Sequence, residues 1–491
     1  MTPPFAQLQT PIGHILHVLT ARCAGPNHVR QVQARLVVLD LSSNTTLASR
    51  FINVCHSLGL SHLALRFFAH LPRPHVFICN TLIRAFSLAR TPHVPFSVYA
   101  HMRKNSIHPN NFTFPFLLKS LADSGEFRQG LCVHTHVVKI GHLEDIFVRN
   151  SLLNLYASGG GDMALCRQMF DEMPHRDVVS WTVLITGYRK VRRFGDVLMA
   201  FEQMLLSKLD PNRVTIVNVW AACSSVREAG MGMWVHDFVR RRCWELDVTL
   251  GTALVNMYMR CGRVDEGLKA FHSLKEKSAL TWNMVIKGLA LTKNGDGAVS
   301  WFYKMQREGV KVDEETLVAV LSACSQSGLI EKGREIFSAL LNGEFGISAG
   351  IKHYECVIDL LVRGGCQDDA LELIRQMPHE PTKTMCRAIL AGSTAHGKLN
   401  LSELSPRKLI ELEPENGAHY VLLSDLYTEM GRWSDVEKAR GLMKARGLQK
   451  DLDRRFLERR LQDSFPESHS SSDRASGRED DMISSSIVSV G

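Results

Sequence analysis

Residues 262–271, Gly-Arg-Val-Asp-Glu-Gly-Leu-Lys-Ala-Phe, match residues 328–337, Gly-Leu-Ile-Glu-Lys-Gly-Arg-Glu-Ile-Phe. Each stretch begins with glycine, and apolar or small side chains then follow at intervals of three and four residues. This spacing is typical of a helix with its turn in front. The alternation that would indicate strands is missing, so the pattern predicts a repeated unit of helix, turn and helix.

The same order returns at a longer period of about one hundred residues. Trp181 and Trp282 begin equivalent segments 101 residues apart, and Cys79 lies 102 residues before Trp181. His134 and His236 are also separated by 102 residues. Each long unit contains three shorter ones of about 35, 35 and 31 residues. Because one helix pair cannot bury its apolar face alone, neighbouring pairs must stack. We therefore expect an all-α fold, a right-handed superhelical solenoid of helix-turn-helix repeats, with Trp181, Trp282, Phe170 and Phe271 in its core.

Composition fits a long folded array. The chain has 491 residues, of which 45% are hydrophobic and 22% charged, and its formal net charge is +8. No apolar run is long enough to cross a bilayer, so we expect no membrane partner. The basic excess suits a polyanion, but charge alone does not identify one.

Cysteine spacing and the N-terminal residues bear on the compartment. The twelve cysteines are scattered singly and never form C-x-x-C, which argues against a zinc ribbon and favours a reduced compartment. No acidic residue precedes Asp40, whereas Arg22, Arg30 and Arg35 are present. Residues 1–44 therefore look like an organelle transit segment that merges into a degenerate first repeat. The alternative is that they simply begin the array.

Three motifs resemble those of pentatricopeptide repeat proteins of the plant type. Residues 178–182 (Val-Val-Ser-Trp-Thr) are similar to the opening of the family's standard repeat, residues 130–134 (Gly-Leu-Cys-Val-His) to the G-x-x-x-H of its longer variant, and residues 170–174 (Phe-Asp-Glu-Met-Pro) to the end of its short one. The resemblance covers an array over residues 45–382. Its units are 45–75, 76–110, 111–145, 146–177, 178–212, 213–247, 248–278, 279–313, 314–349 and 351–382.

Residues 383–450 resemble the family's C-terminal E-type extension, as in residues 419–427 (His-Tyr-Val-Leu-Leu-Ser-Asp-Leu-Tyr). Cys386 occupies a place where the family usually has tryptophan, and residues 451–455 (Asp-Leu-Asp-Arg-Arg) replace the expected P-G-x-S-W-I-E run. No DYW deaminase domain follows. Residues 451–491 are charged and then serine-rich, a composition typical of a disordered tail.

The resemblance implies that the fifth and the last residue of a unit together select one RNA base. Short amides, hydroxyls and carboxylates suit this role because their donors and acceptors have fixed directions. A helix cap or a solvated residue is the alternative for any single position. The base-reading pairs implied are Asn80 with Asn110, Asn150 with Asp177, Thr182 with Asn212, Thr252 with Ser278, and Asn283 with Asp313.

Family usage assigns these pairs a pyrimidine, U, A, a purine and U, in that order. The longer units carry Pro115, Val217 and Val318 at the fifth position, so we expect them to space rather than select. The predicted single-stranded target, 5′ to 3′, is Y-N-U-A-N-R-U over residues 76–313. The basic runs 189–193 and 240–242 could contact phosphates or lie on a solvated outer face.

Catalytic motifs are incomplete. His353, Tyr354 and Glu355 fit the H-x-E half of a zinc deaminase, but no C-x-x-C follows and Tyr354 is expected in the core. Phosphate-binding loops are also absent. We expect no enzyme activity, no cofactor, no metal and no small-molecule substrate.

The resemblance implies a site-recognition factor for C-to-U editing of organelle transcripts, with a DYW-type deaminase or other editing factors supplied in trans. Mitochondrion is the expected compartment, with the plastid as alternative. Two rival hypotheses are an organelle RNA stabilisation, splicing or translation factor, and a tetratricopeptide-like protein-binding scaffold, whose units would be uniformly 34 residues long.

Overall fold

The computed structural model describes residues 15, 18, 25–71, 73–88, 93–158, 163–395, 407–408, 410–411, 414–429 and 431–446. We number twenty-four α-helices in these ranges, and none of the residues described forms a β-strand. The prediction of an all-α solenoid of helix-turn-helix repeats is confirmed. The helices are α1 (Pro26–Val38), α2 (Thr45–Ser57), α3 (Ser61–Ala69), α4 (Val76–Leu88), α5 (His93–Lys104), α6 (Phe114–Ser124), α7 (Phe127–Lys139), α8 (Ile146–Ser158), α9 (Met163–Asp171), α10 (Val178–Lys190), α11 (Phe194–Leu206), α12 (Arg213–Val226), α13 (Ala229–Arg241), α14 (Val248–Arg260), α15 (Val264–Ser273), α16 (Ala279–Leu291), α17 (Gly295–Arg307), α18 (Glu314–Ser327), α19 (Ile330–Leu341), α20 (Ile351–Arg363), α21 (Gln367–Gln376), α22 (Lys383–Ala395), α23 (Gly417–Glu429) and α24 (Trp433–Ala445).

The chain forms two compact units, Met1–Thr316 and Leu317–Gly491, and the division falls inside α18. In the first unit the even-numbered helices from α2 to α16 are the first helices of the repeats. Each from α2 to α14 contacts the next first helix along the chain, and each second helix packs on its own partner. The first helices therefore form one continuous row, on which the fifth residues of all the units in this part of the chain lie.

Turns between helices form where the sequence predicts them. Gly262, which precedes α15, has a φ of +75°. A residue with a side chain is strained in this left-handed region, whereas glycine adopts it freely. The glycines at the start of the second helices have a different role: Gly130 packs directly on Leu155 of the next repeat, and Gly232 on Met257. The small residue lets neighbouring repeats approach closely.

Aromatic side chains fill the contact between consecutive repeats. Phe170 lies edge-on to Trp181 with ring centroids 4.6 Å apart, and Phe271 meets Trp282 in the same way at 4.8 Å. All four are buried, which confirms their predicted place in the core. His134 bonds the Tyr156 hydroxyl at 2.9 Å, and the equivalent His236 bonds Tyr258 at 2.8 Å. Residues 102 positions apart thus make equivalent side-chain contacts, in addition to being of the same type.

The N-terminal segment is partly described. Val29, Val32 and Leu36 on α1 are buried in the core shared with α2, so residues 26–38 pack as part of the array. Most of residues 1–24 lie outside the described ranges. The targeting role of residues 1–44 remains a prediction.

In the second unit, α20 packs against α19, α21 and α22, and α23 packs against α24. Tyr354 and Cys386 are buried there, as the prediction for Tyr354 required. Leu423 and Tyr427 form a separate small core with Val436 and Ala439 between α23 and α24. The predicted disordered tail, residues 451–491, lies outside the described ranges. No described helix has the length and apolar character needed to cross a bilayer.

Candidate nucleic-acid interface

Four of the five predicted pairs are joined by a direct hydrogen bond between the fifth and the last residue of the unit. The donor and acceptor atoms are 3.0 to 3.1 Å apart in each case, although about thirty residues of chain separate them. These bonds run from Asn80 Nδ2 to Asn110 Oδ1, from Asn150 Nδ2 to Asp177 Oδ1, from Asn212 Nδ2 to Thr182 Oγ1, and from Asn283 Nδ2 to Asp313 Oδ1. In the fifth pair, Thr252 and Ser278 are joined through the hydroxyl of Thr281.

In four of the five predicted pairs the last residue also caps the start of the following helix. Asp177, Asn212 and Ser278 accept a hydrogen bond from the backbone N–H three residues later, and Asp313 accepts one from Thr316 N at 2.8 Å. An N-cap satisfies a backbone donor that the helix itself leaves unpaired. The alternative of a helix cap is therefore realised at these positions together with the predicted pairing.

The two members of a pair differ in exposure. The last residues Asn110, Asp177, Asn212, Ser278 and Asp313 are all partly exposed. Asn80 and Thr182 are also partly exposed, but Asn150, Thr252 and Asn283 are buried, with only 1% of Asn283 exposed. In three units the last residue thus faces solvent while the fifth lies beneath it.

Two of the pairs end in an ionised carboxylate. Burial alone would raise the pKa of Asp177, but hydrogen bonds from Ser180 and Asn150 outweigh it, and the net pKa lies below the ordinary value. Burial would also raise the pKa of Asp313, but hydrogen bonds from Thr316 and Asn283 outweigh it and lower that pKa as well. Both carboxylates can therefore only accept hydrogen bonds near neutral pH. The NH₂ group of the asparagine must then be the donor in each pair.

The longer units are arranged differently. Their apolar fifth residues include Pro115 and Val217, and the last residue is bonded by the first residue of the unit instead. Asn111 Nδ2 donates to Asp145 Oδ2 at 3.0 Å, and Arg213 Nη1 forms an ion pair with Asp247 Oδ2 at 2.7 Å. Because an apolar side chain cannot form a hydrogen bond, these units have no hydrogen-bonded pair of fifth and last residues.

Sequence reasoning missed a third member of each predicted pair, a hydroxyl residue in the next repeat. Its signal was legible, because serine or threonine follows the last residue at an interval of three, the spacing of a capping box. These buried hydroxyl residues are Thr113, Ser180, Thr215, Thr281 and Thr316.

A stripe of exposed apolar side chains was also missed. It occupies the second position of six units, three residues before the fifth. In five of them this position is on the first helix and hence on the same side as the fifth residue, whereas Phe112 lies in the turn before α6. Exposed fractions range from 50% to 69%. We call these residues the apolar stripe: Phe77, Phe112, Phe147, Val179, Val214 and Leu280.

The two basic runs differ in how their charges are used. Arg242 forms two hydrogen bonds of 2.6 Å with the carboxylate of Asp210, and Arg240 pairs with Asp237 at 3.0 Å. In the other run Arg193 pairs with Asp196, whereas Lys190 at the end of α10 donates to the neutral hydroxyl of Ser158 at 2.9 Å. The run 189–193 therefore offers more charge to a phosphate than the run 240–242.

The H-x-E segment serves local structure. His353 is buried and its Nδ1 accepts the backbone N–H of Gly350 at 3.0 Å, which closes the start of α20. Glu355 accepts the hydroxyl hydrogen of Thr382 at 2.6 Å. These are the fifth and last residues of unit 351–382, so a further pair exists that sequence reasoning did not assign. The described residues contain no group of three histidine, cysteine or acidic side chains placed to hold a metal ion.

Comparison with known proteins agrees with this architecture. The pentatricopeptide repeat domain matches residues 73–124, the PPR repeat matches 179–209, 252–278, 280–310 and 315–342, and the E motif matches 396–451. Pentatricopeptide repeat-containing protein At3g47530 of Arabidopsis thaliana is 35% identical over 88% of this chain and 74% of its own length. Pentatricopeptide repeat-containing protein At5g43790 of the same plant is 32% identical over 87% of this chain and 94% of its own length.

The helical repeat defines the general class, and these relatives define the family: the chain belongs to the pentatricopeptide repeat proteins. It carries the E motif and matches no DYW domain among the families found. Among solved structures, that of the pentatricopeptide repeat protein PPR10 from maize is 15% identical and covers 91% of this chain and 73% of its own, with a TM-score of 0.49. The family assignment depends on the sequence relatives alone.

Proposed function

We propose that this protein binds single-stranded RNA and reads it at about one nucleotide per repeat. The observation that carries the proposal is the recurring bond between fifth and last residues, which lies on a continuous row of first helices. The tetratricopeptide alternative is set aside because the chain belongs to another family.

Each pair offers a base both an accessible edge and a supporting group. In units 146–177 and 279–313 the partly exposed carboxylates of Asp177 and Asp313 meet the base, and the asparagine beneath holds them in place. In units 76–110 and 178–212 both members reach solvent. A buried polar side chain with defined partners presents its remaining donors and acceptors in one direction, which is what selection of a base edge requires.

The apolar stripe supplies a surface against which bases can stack. Exposed phenylalanine, valine and leucine side chains are costly to leave in water, and a base placed between two of them buries that surface. Stacking on an aromatic side chain contributes about 1–3 kcal/mol per base with little dependence on sequence, and phenylalanine occupies half of the stripe. The stripe would therefore hold the strand while the adjacent pairs select it.

A gel-shift series tests the proposal directly. We expect tighter binding to an RNA that contains Y-N-U-A-N-R-U than to scrambled versions of equal length and composition. Equal binding to all of them would contradict base reading by these pairs.

The finer role proposed is recognition of C-to-U editing sites in organelle transcripts, with the deaminase supplied by another polypeptide. The E motif match at residues 396–451 supports it. Disruption of the gene followed by sequencing of organelle transcripts should show at least one unedited site. Altered transcript length or abundance with editing intact would instead favour stabilisation, splicing or translation.

An organelle is the proposed compartment. The N-terminal residues without acidic side chains support import, and one relative, CRR2 of Arabidopsis thaliana, 31% identical over 87% of this chain and 66% of its own length, is named chloroplastic. Fusion of residues 1–44 to a fluorescent protein distinguishes the expected mitochondrion from the plastid.

A further inference from the structure

The buried hydroxyl residues lie where no base can touch them. Thr113, Ser180, Thr215, Thr281 and Thr316 are all fully buried, with 0% of each exposed. Each comes from the repeat that follows the pair, at the third residue after the last one. Whatever these hydroxyls do for RNA recognition, they do through the pair above them.

Each hydroxyl lies within hydrogen-bond distance of both members of its pair. Thr316 Oγ1 is 2.7 Å from Asn283 Oδ1 and 2.8 Å from Asp313 Oδ1, and its single hydrogen can be donated to either oxygen. Ser180 Oγ stands 2.7 Å from Asn150 Oδ1 and 2.8 Å from Asp177 Oδ1. The other three hydroxyl residues make the corresponding contacts, between 2.7 and 3.2 Å long.

These bonds determine which way the asparagine amide is turned. The carboxylate of Asp313 can only accept, so Asn283 must direct its NH₂ group there and its oxygen toward Thr316. The hydroxyl can donate to that oxygen, whereas an amide turned by 180° would place its oxygen against the carboxylate. The hydroxyl thus stabilises one orientation of the buried asparagine amide, and that amide in turn holds the partly exposed carboxylate in place.

The hydroxyl follows all five predicted pairs. After the longer units 111–145 and 213–247, whose fifth residues are apolar, the equivalent position holds Val148 and Leu250. After the pair of Glu355 and Thr382 it holds Met385. A carboxylate such as that of Glu355 has two equivalent oxygens and no donor, so a rotation by 180° changes nothing and no hydroxyl is needed to select an orientation. The five hydroxyls therefore accompany amide or hydroxyl fifth residues.

We infer that these buried hydroxyls are positioning residues that set base discrimination in the preceding repeat. The inference rests on the proposed RNA-binding function and assigns part of each repeat's specificity to its neighbour. Each base-reading site then comprises three residues: the fifth and last residues of one unit and a hydroxyl residue from the next repeat. Transfer of only the fifth and last residues to another repeat would transfer only part of the base preference.

The test compares Thr316→Val, which keeps the shape but removes the hydroxyl, with Thr316→Ser, which keeps the hydroxyl. Because Asp313 still accepts the backbone N–H of residue 316, the helix cap survives both substitutions. The binding constant is measured for two RNAs that differ only in U or C at the base matched to unit 279–313. Melting temperature by circular dichroism reports folding.

We expect Thr316→Val to reduce the preference for U by roughly three- to tenfold, the size of one hydrogen bond, while Thr316→Ser retains it. Preference at the base matched to unit 178–212 should not change in either variant. A purely structural role would weaken binding to both RNAs equally and leave their ratio intact, which overturns the inference.

Ser180→Ala at the pair of Asn150 and Asp177 provides the same comparison if Thr316→Val does not fold. Wild-type protein that binds without any base preference would overturn the proposed function itself. That result differs from a wild type that discriminates and a variant that discriminates equally well, which overturns only the role of the hydroxyl.

Discussion

The side-chain amide of Asn283 donates a hydrogen bond to the carboxylate of Asp313 at 3.0 Å, and the same carboxylate oxygen caps α18 through Thr316 N at 2.8 Å. One residue thus links a proposed base-reading pair to the folding of the next helix. Substitutions that preserve the cap but change the hydrogen-bonding character of the pair can therefore separate recognition from stability.

Asp313→Asn is expected to separate base recognition from stability. Asparagine caps a helix about as well as aspartate, so we expect the free energy of unfolding to change by less than about 1 kcal/mol. The pair then matches that of Asn80 and Asn110, and the preference for U at this base should broaden to accept C. Fluorescence anisotropy with U and C variants of one RNA measures the change.

The matched control is Asp247→Asn in the longer unit 213–247. Asp247 is bonded by Arg213 rather than by a fifth residue, and the fifth residue there is Val217. We expect this variant to leave every base preference unchanged. A loss of discrimination in the control would show that the longer units read bases too.

Thr182→Asn should redirect a repeat. Unit 178–212 would then carry the same pair as unit 76–110, and its predicted preference should move from A to a pyrimidine. A good side-chain contact discriminates between bases by about 1–3 kcal/mol, so the ratio of binding constants for A and C should change at least several-fold. Binding to RNAs altered at other bases serves as the control.

Phe147→Ala should weaken RNA binding without unfolding the protein. Phe147 is 69% exposed, so its removal leaves no cavity, whereas loss of a stacking surface costs about 1–3 kcal/mol per base. Leu206→Ala provides the control, because Leu206 is 82% exposed on the second helix α11 rather than on a first helix. Equal losses of affinity in the two variants, measured by filter binding, would rule out a stacking role for the stripe.

The fold could be predicted well from the sequence because the sequence pattern is periodic. Apolar spacing identified the helices, and the 102-residue offset between His134 and His236 predicted equivalent places that the structure fills with equivalent tyrosine contacts. The contact from Gly130 to Leu155 could not be deduced in this way, since it depends on how closely consecutive helix pairs approach.

For the site, the sequence indicated which residues pair but not how deeply they lie. Asn80 and Asn283 occupy the same position of equivalent units, yet one is partly exposed and the other buried. Burial depends on packing by the neighbouring repeat, and the sequence of a single unit does not specify that packing. The third member, such as Thr316, was visible as a capping residue, but its bond to Asn283 crosses 33 residues.

The two basic runs should respond differently to neutralisation. Arg242 already has a carboxylate partner in Asp210, so binding a phosphate would require it to leave an ion pair. We expect Arg242→Gln to change RNA affinity little and a variant with both Arg189→Gln and Lys190→Gln to weaken it. The slope of log affinity against log salt should also fall by about 0.7 for each phosphate of single-stranded RNA that the variant no longer binds. Equal effects of the two variants would contradict this assignment.

Stability should decrease as the pH falls from 7.5 to 5.5. Burial lowers the pKa of His134 below the ordinary 6.5, and burial is also the main cause for His236, where Asp237 opposes and Arg240 adds to the shift. Below pH 6.5 the unfolded chain then binds more protons than the folded one, so acidification through this window favours unfolding. Urea denaturation at the two pH values should show a lower midpoint at pH 5.5.

The variant with His134→Gln and His236→Gln should show a smaller difference between the two midpoints. Asp177 and Asp313 do not contribute in this window, because their stabilisation is lost only as the pH falls below about 3.8. The pKa of His136 is also lowered chiefly by burial, so His136 would account for the pH dependence that remains in the double variant. An unchanged difference in the double variant would mean that His134 and His236 are not the groups that titrate.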